Sequence, residues 1–148
     1  MKIEDEIKGR FRNEYHKGMI NLTYTTNHLS YKFLQFLKRH DVTEQQYNIL
    51  RVLRGFNEGP STIGFLKERM LDKSSDVSRI IDKLYERKLV ERSENKEDRR
   101  QKDVRISEDG LKLLSRMDCI EMEVDKLLKK LTEEEVVTLN KLLDKIRS

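Results

Sequence analysis

Cysteine, proline and tryptophan are nearly missing from this chain, which has one Cys (Cys119), one Pro (Pro60) and no Trp in 148 residues. A lone cysteine excludes an intramolecular disulfide framework and any zinc site built on several thiolates. Scarce proline leaves long stretches free to run as helix, because proline removes a backbone donor and clashes inside one. No apolar run approaches the roughly 20 residues that a membrane-spanning helix needs. The charged start MKIEDEIKGR lacks the hydrophobic stretch of a secretory leader, so a cytoplasmic protein without membrane contact is expected. Catalytic signatures are absent as well. There is no Gly-rich phosphate loop, no H-E-x-x-H and no nucleophile–base pair, and neither an enzymatic activity nor a cofactor is expected. His16, His28 and His40 recur every twelve residues, at different helical angles, so they offer no i, i+4 metal pair. Cys119 reads as a partly buried, inert thiol.

Charge is what the chain has in quantity, at 39% of residues against 36% hydrophobic. That balance suits helices with wide solvated faces, since Lys, Glu, Arg and Leu lose little rotamer freedom in a helix. Regular apolar spacing argues against disorder, and the length fits one domain with a sizeable core. A net charge of +4 permits nucleic-acid binding without proving it. The surplus is spread out: residues 1–54 hold 10 basic and 6 acidic residues, 62–105 hold 13 and 10, and 106–148 hold 8 and 10.

Taken in order, Ile3, Ile7, Phe11, Tyr15 and Met19 step by four, and Tyr24, His28, Tyr31, Leu34 and Leu37 continue at helical spacing. Gly9, Gly18 and the weak patch 21–26 predict a short first helix that bends or breaks near residue 20, then a firmer one to about Arg39. So long an apolar stripe either packs inward or is buried in a dimer. Thr43 with Gln46 forms a capping box, and Val42 with Tyr47 a hydrophobic staple, opening a helix that should stop over 55–59 before the Gly59-Pro60 turn. Thr62 is the N-cap of a short helix with Phe65, Leu66 and Met70 inward. A D-K-S-S turn then leads to a helix capped by Ser74 or Ser75, with Val77, Ile80, Ile81 and Leu84 as one buried stripe. Two helices joined so briefly make a helix-turn-helix.

On the second of these helices Ser75, Asp76, Ser78, Arg79, Asp82 and Lys83 point away from the stripe. Small polar residues followed by Arg and Lys suit a major-groove reader whose amino-terminal amides can meet phosphates, although an ordinary solvated face has the same look. The next stretch decides between them. Residues 89–93 and 103–106 read as short strands around ENKEDRRQK, where Asn95 turns the chain and Lys96, Arg99, Arg100 and Lys102 supply charge. After a helix-turn-helix such a hairpin is a wing able to enter a minor groove, where Arg meets concentrated negative potential. Ser107 then caps a long helix carrying Leu111, Leu114, Met117, Val124, Leu127 and Leu131. A second capping box, Thr132 with Glu135, and a Leu131–Val136 staple open the last helix, which continues through Leu139, Leu142, Leu143 and Ile146. The expected fold is mostly α with a small β-hairpin wing: a winged helix-turn-helix DNA-binding region over 41–106 and a helical dimerisation region from 1–40 and 107–148, intertwined in one domain.

The chain resembles the multiple antibiotic resistance regulator (MarR) family of bacterial winged-helix transcription factors. Its wing signature, D-x-R-x5-[LI]-[TS]-x-x-G, is met by Asp98, Arg100, Ile106, Ser107 and Gly110, and VSRIIDKLYERKLVERS resembles the recognition helix and its lead into the wing. The resemblance implies a homodimeric repressor on a pseudo-palindromic double-stranded DNA operator, with the first and last helices interleaved between protomers. It implies that Ser75, Asp76, Ser78, Arg79 and Lys83 lie in or beside the major groove, and Ser74 is expected to contact DNA with them. It also gives Arg100 as the minor-groove arginine of the wing tip and Asp98, with Gly110, as structural residues of the wing. A small aromatic or carboxylic effector is implied in a cleft that Tyr24, His28, Tyr31 and Tyr47 could line. Lys88 and Leu71 stand where the family usually has Gly. Peroxide-sensing relatives carry their reactive Cys in the first helix, so that role does not transfer to Cys119. Two alternatives stay open. Asp76, Asp82, Glu94 and Glu97 would suit a winged-helix protein-interaction module without DNA, and some relatives are metal-responsive.

Overall fold

In the computed structural model, residues 1–56 and 59–148 are described, and the chain divides into two units, Met1–Phe36 and Leu37–Ser148. The first unit holds helix α1 (Ile3–Ile7) and most of helix α2 (Glu14–Lys38). Lys8 ends α1 in the left-handed region at φ 51°. Asn13 starts α2 by accepting the His16 backbone N–H at 2.9 Å. The break expected near residue 20 therefore lies at residues 8–13, and residue 20 sits inside an unbroken helix. One exposed glycine, Gly18, costs about 1 kcal/mol, too little to interrupt a helix of 25 residues. Two side-chain bonds tie α1 to α2: Lys17 Nζ lies 2.5 Å from Glu4, and the Tyr24 hydroxyl donates to Glu6 at 2.9 Å.

The second unit opens with helix α3 (Glu44–Gly55). Both halves of its capping box form, with Thr43 Oγ1 accepting from Gln46 N and Gln46 Oε1 from Thr43 N, each at 3.1 Å. The turn expected over 55–59 includes Asn57 and Glu58, which lie outside the described residues. Strand β1 (Ser61–Thr62) and helix α4 (Ile63–Glu68) follow, with Thr62 Oγ1 accepting the Phe65 N–H at 3.2 Å. Next come α5 (Val77–Glu86), β2 (Val90–Glu94) and β3 (Lys102–Ile106). The antiparallel sheet has the order β1-β3-β2. Strand β1 was not anticipated: two residues carry no periodicity, and its existence rests on the pairings Ser61–Val104 and Thr62–Asp103.

Helices α6 (Glu108–Met117), α7 (Cys119–Leu128) and α8 (Glu133–Arg147) complete the chain. The single long helix expected after Ser107 is thus two segments, divided at Asp118 with dihedrals that stay helical. Asp118 accepts from Arg54 at 2.7 Å and Glu121 pairs with Arg51 at 2.9 Å, which ties the bend to α3. The inward line is Leu113, Leu114, Met117 and Ile120, while Leu131 is exposed, so the expected stripe drifts off the core beyond the bend. Cys119 is exposed rather than partly buried, because Met117 and Ile120 take the inward face on either side of it. The second capping box, Thr132 with Glu135, is in place.

Leu50, Leu66, Ile81, Leu84, Val90, Val104, Leu114 and Met117 are fully buried, each contributing roughly 1.5–3 kcal/mol of transfer free energy. They come from α3, α4, α5, the sheet and α6, so the core lies directly behind the helix-turn-helix and the wing. Among the described residues, no helix is long and apolar enough to cross a membrane, and no cluster of three His, Cys, Asp or Glu could hold a metal ion.

Candidate nucleic-acid interface

Val77, Ile81 and Leu84 bury one face of α5, with Ile80 half-buried beside them. The opposite face presents Ser78, Arg79, Asp82 and Lys83 to solvent. Neither expected serine caps the helix. Asp76 does, its carboxylate accepting the Arg79 N–H at 3.1 Å. The Ser74 hydroxyl and N–H are both bound to Asp72 Oδ1, at 2.6 and 2.9 Å. These bonds hold the Asp72 carboxyl below the usual carboxylate range. The Ser75 hydroxyl is buried without a partner. The amino-terminal end of α5, where the sequence suggested room for a phosphate, thus already holds a carboxylate against its positive dipole.

The far end of α5 turns sharply into the wing. Lys88 N–H donates to the Tyr85 carbonyl and Leu89 N–H to that of Leu84, both at 2.9 Å, with Lys88 at φ 59°. This is a Schellman stop with Lys at the left-handed position that glycine usually fills. Ser107 locks the same corner. Its hydroxyl donates to the Lys88 carbonyl at 2.6 Å and accepts the Gly110 N–H at 3.0 Å, while its own N–H donates to Leu89 O at 3.0 Å. A Cβ on Gly110 would stand 2.3 Å from the Leu89 carbonyl oxygen and 2.7 Å from Ile106. Close approach, not an unusual φ, calls for glycine there.

The wing is a five-pair ladder from Val90–Ile106 to Glu94–Lys102, in which Glu91 faces Arg105 and Glu94 faces Lys102. Two side chains shape its tip. Asn95 Oδ1 accepts the N–H groups of Glu97 and Asp98 at 2.9 Å, and Asn95 Nδ2 donates to the buried Asp103 at 2.8 Å. Asp98 accepts the Arg100 N–H through its carboxylate and the Gln101 N–H through its carbonyl, both at 3.0 Å. Lys96, Arg99, Arg100 and Lys102 are left exposed around this folded tip.

A groove of about 540 Å³ runs between the helix-turn-helix and the wing. Ser78 and Asp82 line it from α5, Gly64 from α4, and Arg92, Arg100 and Lys102 from the hairpin. Of the residues expected from the sequence to contact DNA, Ser78, Arg100 and Lys102 therefore share one concavity, together with Asp82. Ser74, Ser75, Asp76, Arg79, Lys83, Lys96 and Arg99 do not line it. Arg92 was missed, and its signal was faint: a single arginine at a strand position, with its partner Asp82 ten residues away.

The residues suggested for an effector cleft belong to both units. Tyr24 and His28 line a cavity of about 250 Å³ in the first unit, with Ile3, Glu6 and Asn21. The bond to Glu6 raises the Tyr24 phenol above its ordinary value. Tyr31 is 65% exposed and does not line this cavity. Tyr47 belongs to the core of the second unit, where burial pushes its phenol up.

Residues 42–102 match the family model described as MarR family, a span from just ahead of α3 to the first residue of β3. Over 145 residues the chain is 29% identical to the HTH-type transcriptional repressor IacR of Pseudomonas putida, covering 95% of this chain and 83% of that one. Its fold is similar to that of a mutant Escherichia coli MarR complexed with operator DNA, with a TM-score of 0.78 at 24% identity over 93% of this chain and 99% of that one. It is equally similar to Bordetella bronchiseptica BpsR, whose DNA binding is regulated by 6-hydroxynicotinic acid, with a TM-score of 0.78 at 23% identity over 95% of this chain and 99% of that one. The capped helix, the locked corner and the Asp98-shaped wing lie in or directly beside the matched span, and over residues 42–102 the chain carries a domain that matches the MarR family model.

Proposed function

We propose that the chain is a sequence-specific regulator that binds double-stranded DNA as a homodimer, represses from a pseudo-palindromic operator, and releases it when a small aromatic or carboxylic effector binds. The observation that carries this reading is the groove with α5 on one side and Arg100 and Lys102 on the other. A helix of α5's width fits the major groove, where Ser78, Arg79 and Lys83 reach base edges, while the wing brings Arg100 to the adjoining minor groove. Lys96, Arg99 and Lys102 contact phosphates, which position the protein without reading sequence. Ser74, Ser75 and Asp76 serve the entry to α5 more than the DNA, given the bonds and burial of their side chains. Asp98 and Gly110 keep the wing in shape.

Support for the dimer comes from apolar side chains left in solvent at both ends of the chain. In α8 Val137, Leu142 and Ile146 are 51%, 55% and 65% exposed, and in α2 Tyr15 and Met19 are 88% and 62% exposed. We assign dimerisation to residues 1–40 and 107–148 and DNA reading to 41–106. Likeness to a repressor and to an acid-regulated protein supports repression and an effector, for which Tyr24 and His28 line a cavity of fitting size. The protein-interaction alternative loses ground, because Asp76 is committed as a cap and Asp82 is paired to Arg92.

The test is a gel shift with duplex DNA from upstream of the chain's own gene. Saturable binding should fall steeply as salt rises, since each neutralised phosphate contributes a slope of about −0.9. Arg100→Ala should weaken binding while leaving the dimer intact. Salt-independent retention, or unchanged affinity in Arg100→Ala, refutes the reading.

A further inference from the structure

A carboxylate stands inside the proposed DNA face, where it should repel phosphates. Asp82 projects from the exposed side of α5, and Arg92 reaches it from β2. Arg92 Nη1 donates to Asp82 Oδ1 at 2.5 Å, while the guanidinium carbon lies 4.0 Å from the centre of the Tyr85 ring. The Arg92 side chain is 24% exposed and that of Asp82 60%. Both line the groove that Arg100 and Lys102 also line. The ring holds the guanidinium from one face and the carboxylate engages its edge, so among the described residues one of the three cations lining the groove is engaged before any DNA arrives. A phosphate approaching Arg92 meets the outer side of Asp82, a like charge at short range.

We propose that Asp82 is a specificity-determining residue: it masks Arg92 from the phosphates of non-cognate DNA, leaving Arg100 and Lys102 as the groove's free cations. This rests on the DNA-binding reading above. Non-specific affinity is almost wholly electrostatic and grows with every cation free to release a counterion. Base-edge contacts from α5 form only on a cognate site. Masking one cation therefore lowers random-site binding more than operator binding, which is how a built-in repulsive element creates discrimination. The pair also spans α5 and β2, so it fixes the wing beside the helix while it masks.

Binding of the full-length protein to a short random-sequence duplex is to be followed by fluorescence anisotropy across a salt series. The samples are the wild type, Asp82→Asn, and Asp82→Asn combined with Arg92→Gln, each checked for fold by circular dichroism. Asp82→Asn should steepen the log–log salt slope by about 0.9 for each reading head engaged, tightening random-DNA binding about eightfold per head at 0.1 M relative to 1 M salt. The double variant, which removes both charges, should return to the wild-type slope. A folded Asp82→Asn variant with an unchanged or shallower slope overturns the proposal. So does a double variant shallower than wild type by about 0.9 per head, because Arg92 would then already be on a phosphate. The second arm decides even where the single variant fails to fold. Wild-type protein that binds no duplex at any salt refutes the DNA-binding reading instead, an outcome distinct from both.

Discussion

Lys88 and Gly110 sit on either side of one corner and follow opposite logic. Lys88 occupies a left-handed position that costs a residue with a Cβ about 1–2 kcal/mol. Replacing it with glycine removes that strain, and the greater freedom of glycine in the unfolded chain cancels part of the gain. Lys88→Gly is therefore expected to raise stability by about 0.5–1 kcal/mol in urea unfolding. Gly110→Ala should do the reverse, losing about 1–3 kcal/mol to overpacking, because its Cβ has no free space against the Leu89 carbonyl. At this scale the sequence was most legible where a residue does local work. Thr43, Thr62, Ser107 and Thr132 cap the helices they were expected to cap. It was least legible where a distant partner decides the role. Arg92 acquires meaning only beside Asp82, ten residues away, and Tyr85.

Helix α1 is tied to α2 by the Lys17–Glu4 and Tyr24–Glu6 bonds, and its attachment depends on pH. The Lys17 ammonium holds the Glu4 carboxyl below the ordinary carboxylate range, and Glu4 raises Lys17 in turn. A lowered carboxyl stabilises the folded form above its unfolded value and loses that contribution as pH falls through the lowered one. A raised lysine stabilises below its unfolded value and loses the contribution as pH rises through the raised one. The Tyr24 phenol, raised by Glu6, behaves as the lysine does. The attachment is thus firmest across neutral pH and weakens at both extremes. The methyl resonances of Ile3 and Ile7 should move toward free-chain positions in strong acid and strong base while those of the second unit hold. Methyl shifts unchanged at both extremes would remove these bonds from any part in placing α1. The helix pattern alone mislocated the α1–α2 break because it weighed Gly18 by propensity, whereas Lys8 and the Asn13 cap decide where the chain stops and restarts.

At the scale of the whole molecule, exposed apolar surface at both ends of the chain should be covered by a second copy. Leu142→Asp combined with Ile146→Asp is expected to leave the helical circular-dichroism signal near wild type and yield a monomer by light scattering. Affinity for a two-half-site operator should fall at least tenfold, since linked half-sites gain their avidity through effective concentration. A dimer that survives both substitutions would take α8 out of the interface. The succession of helix, turn, helix and wing was readable from periodicity and caps. The third strand was not, because pairing across the sheet leaves no mark in two residues. That small strand has a kinetic consequence. Ser61 and Val104 are 43 positions apart, so closing them costs more chain entropy than closing the eight positions between Glu94 and Lys102, by roughly 1.5 kcal/mol on logarithmic scaling. The hairpin can zip early from its own tip, but its seat against β1 must wait until α4 and α5, which lie inside the larger loop, have collapsed. In a nascent or partly unfolded chain, the edge of β3 that faces β1 should consequently be the last backbone of the sheet to find its partner.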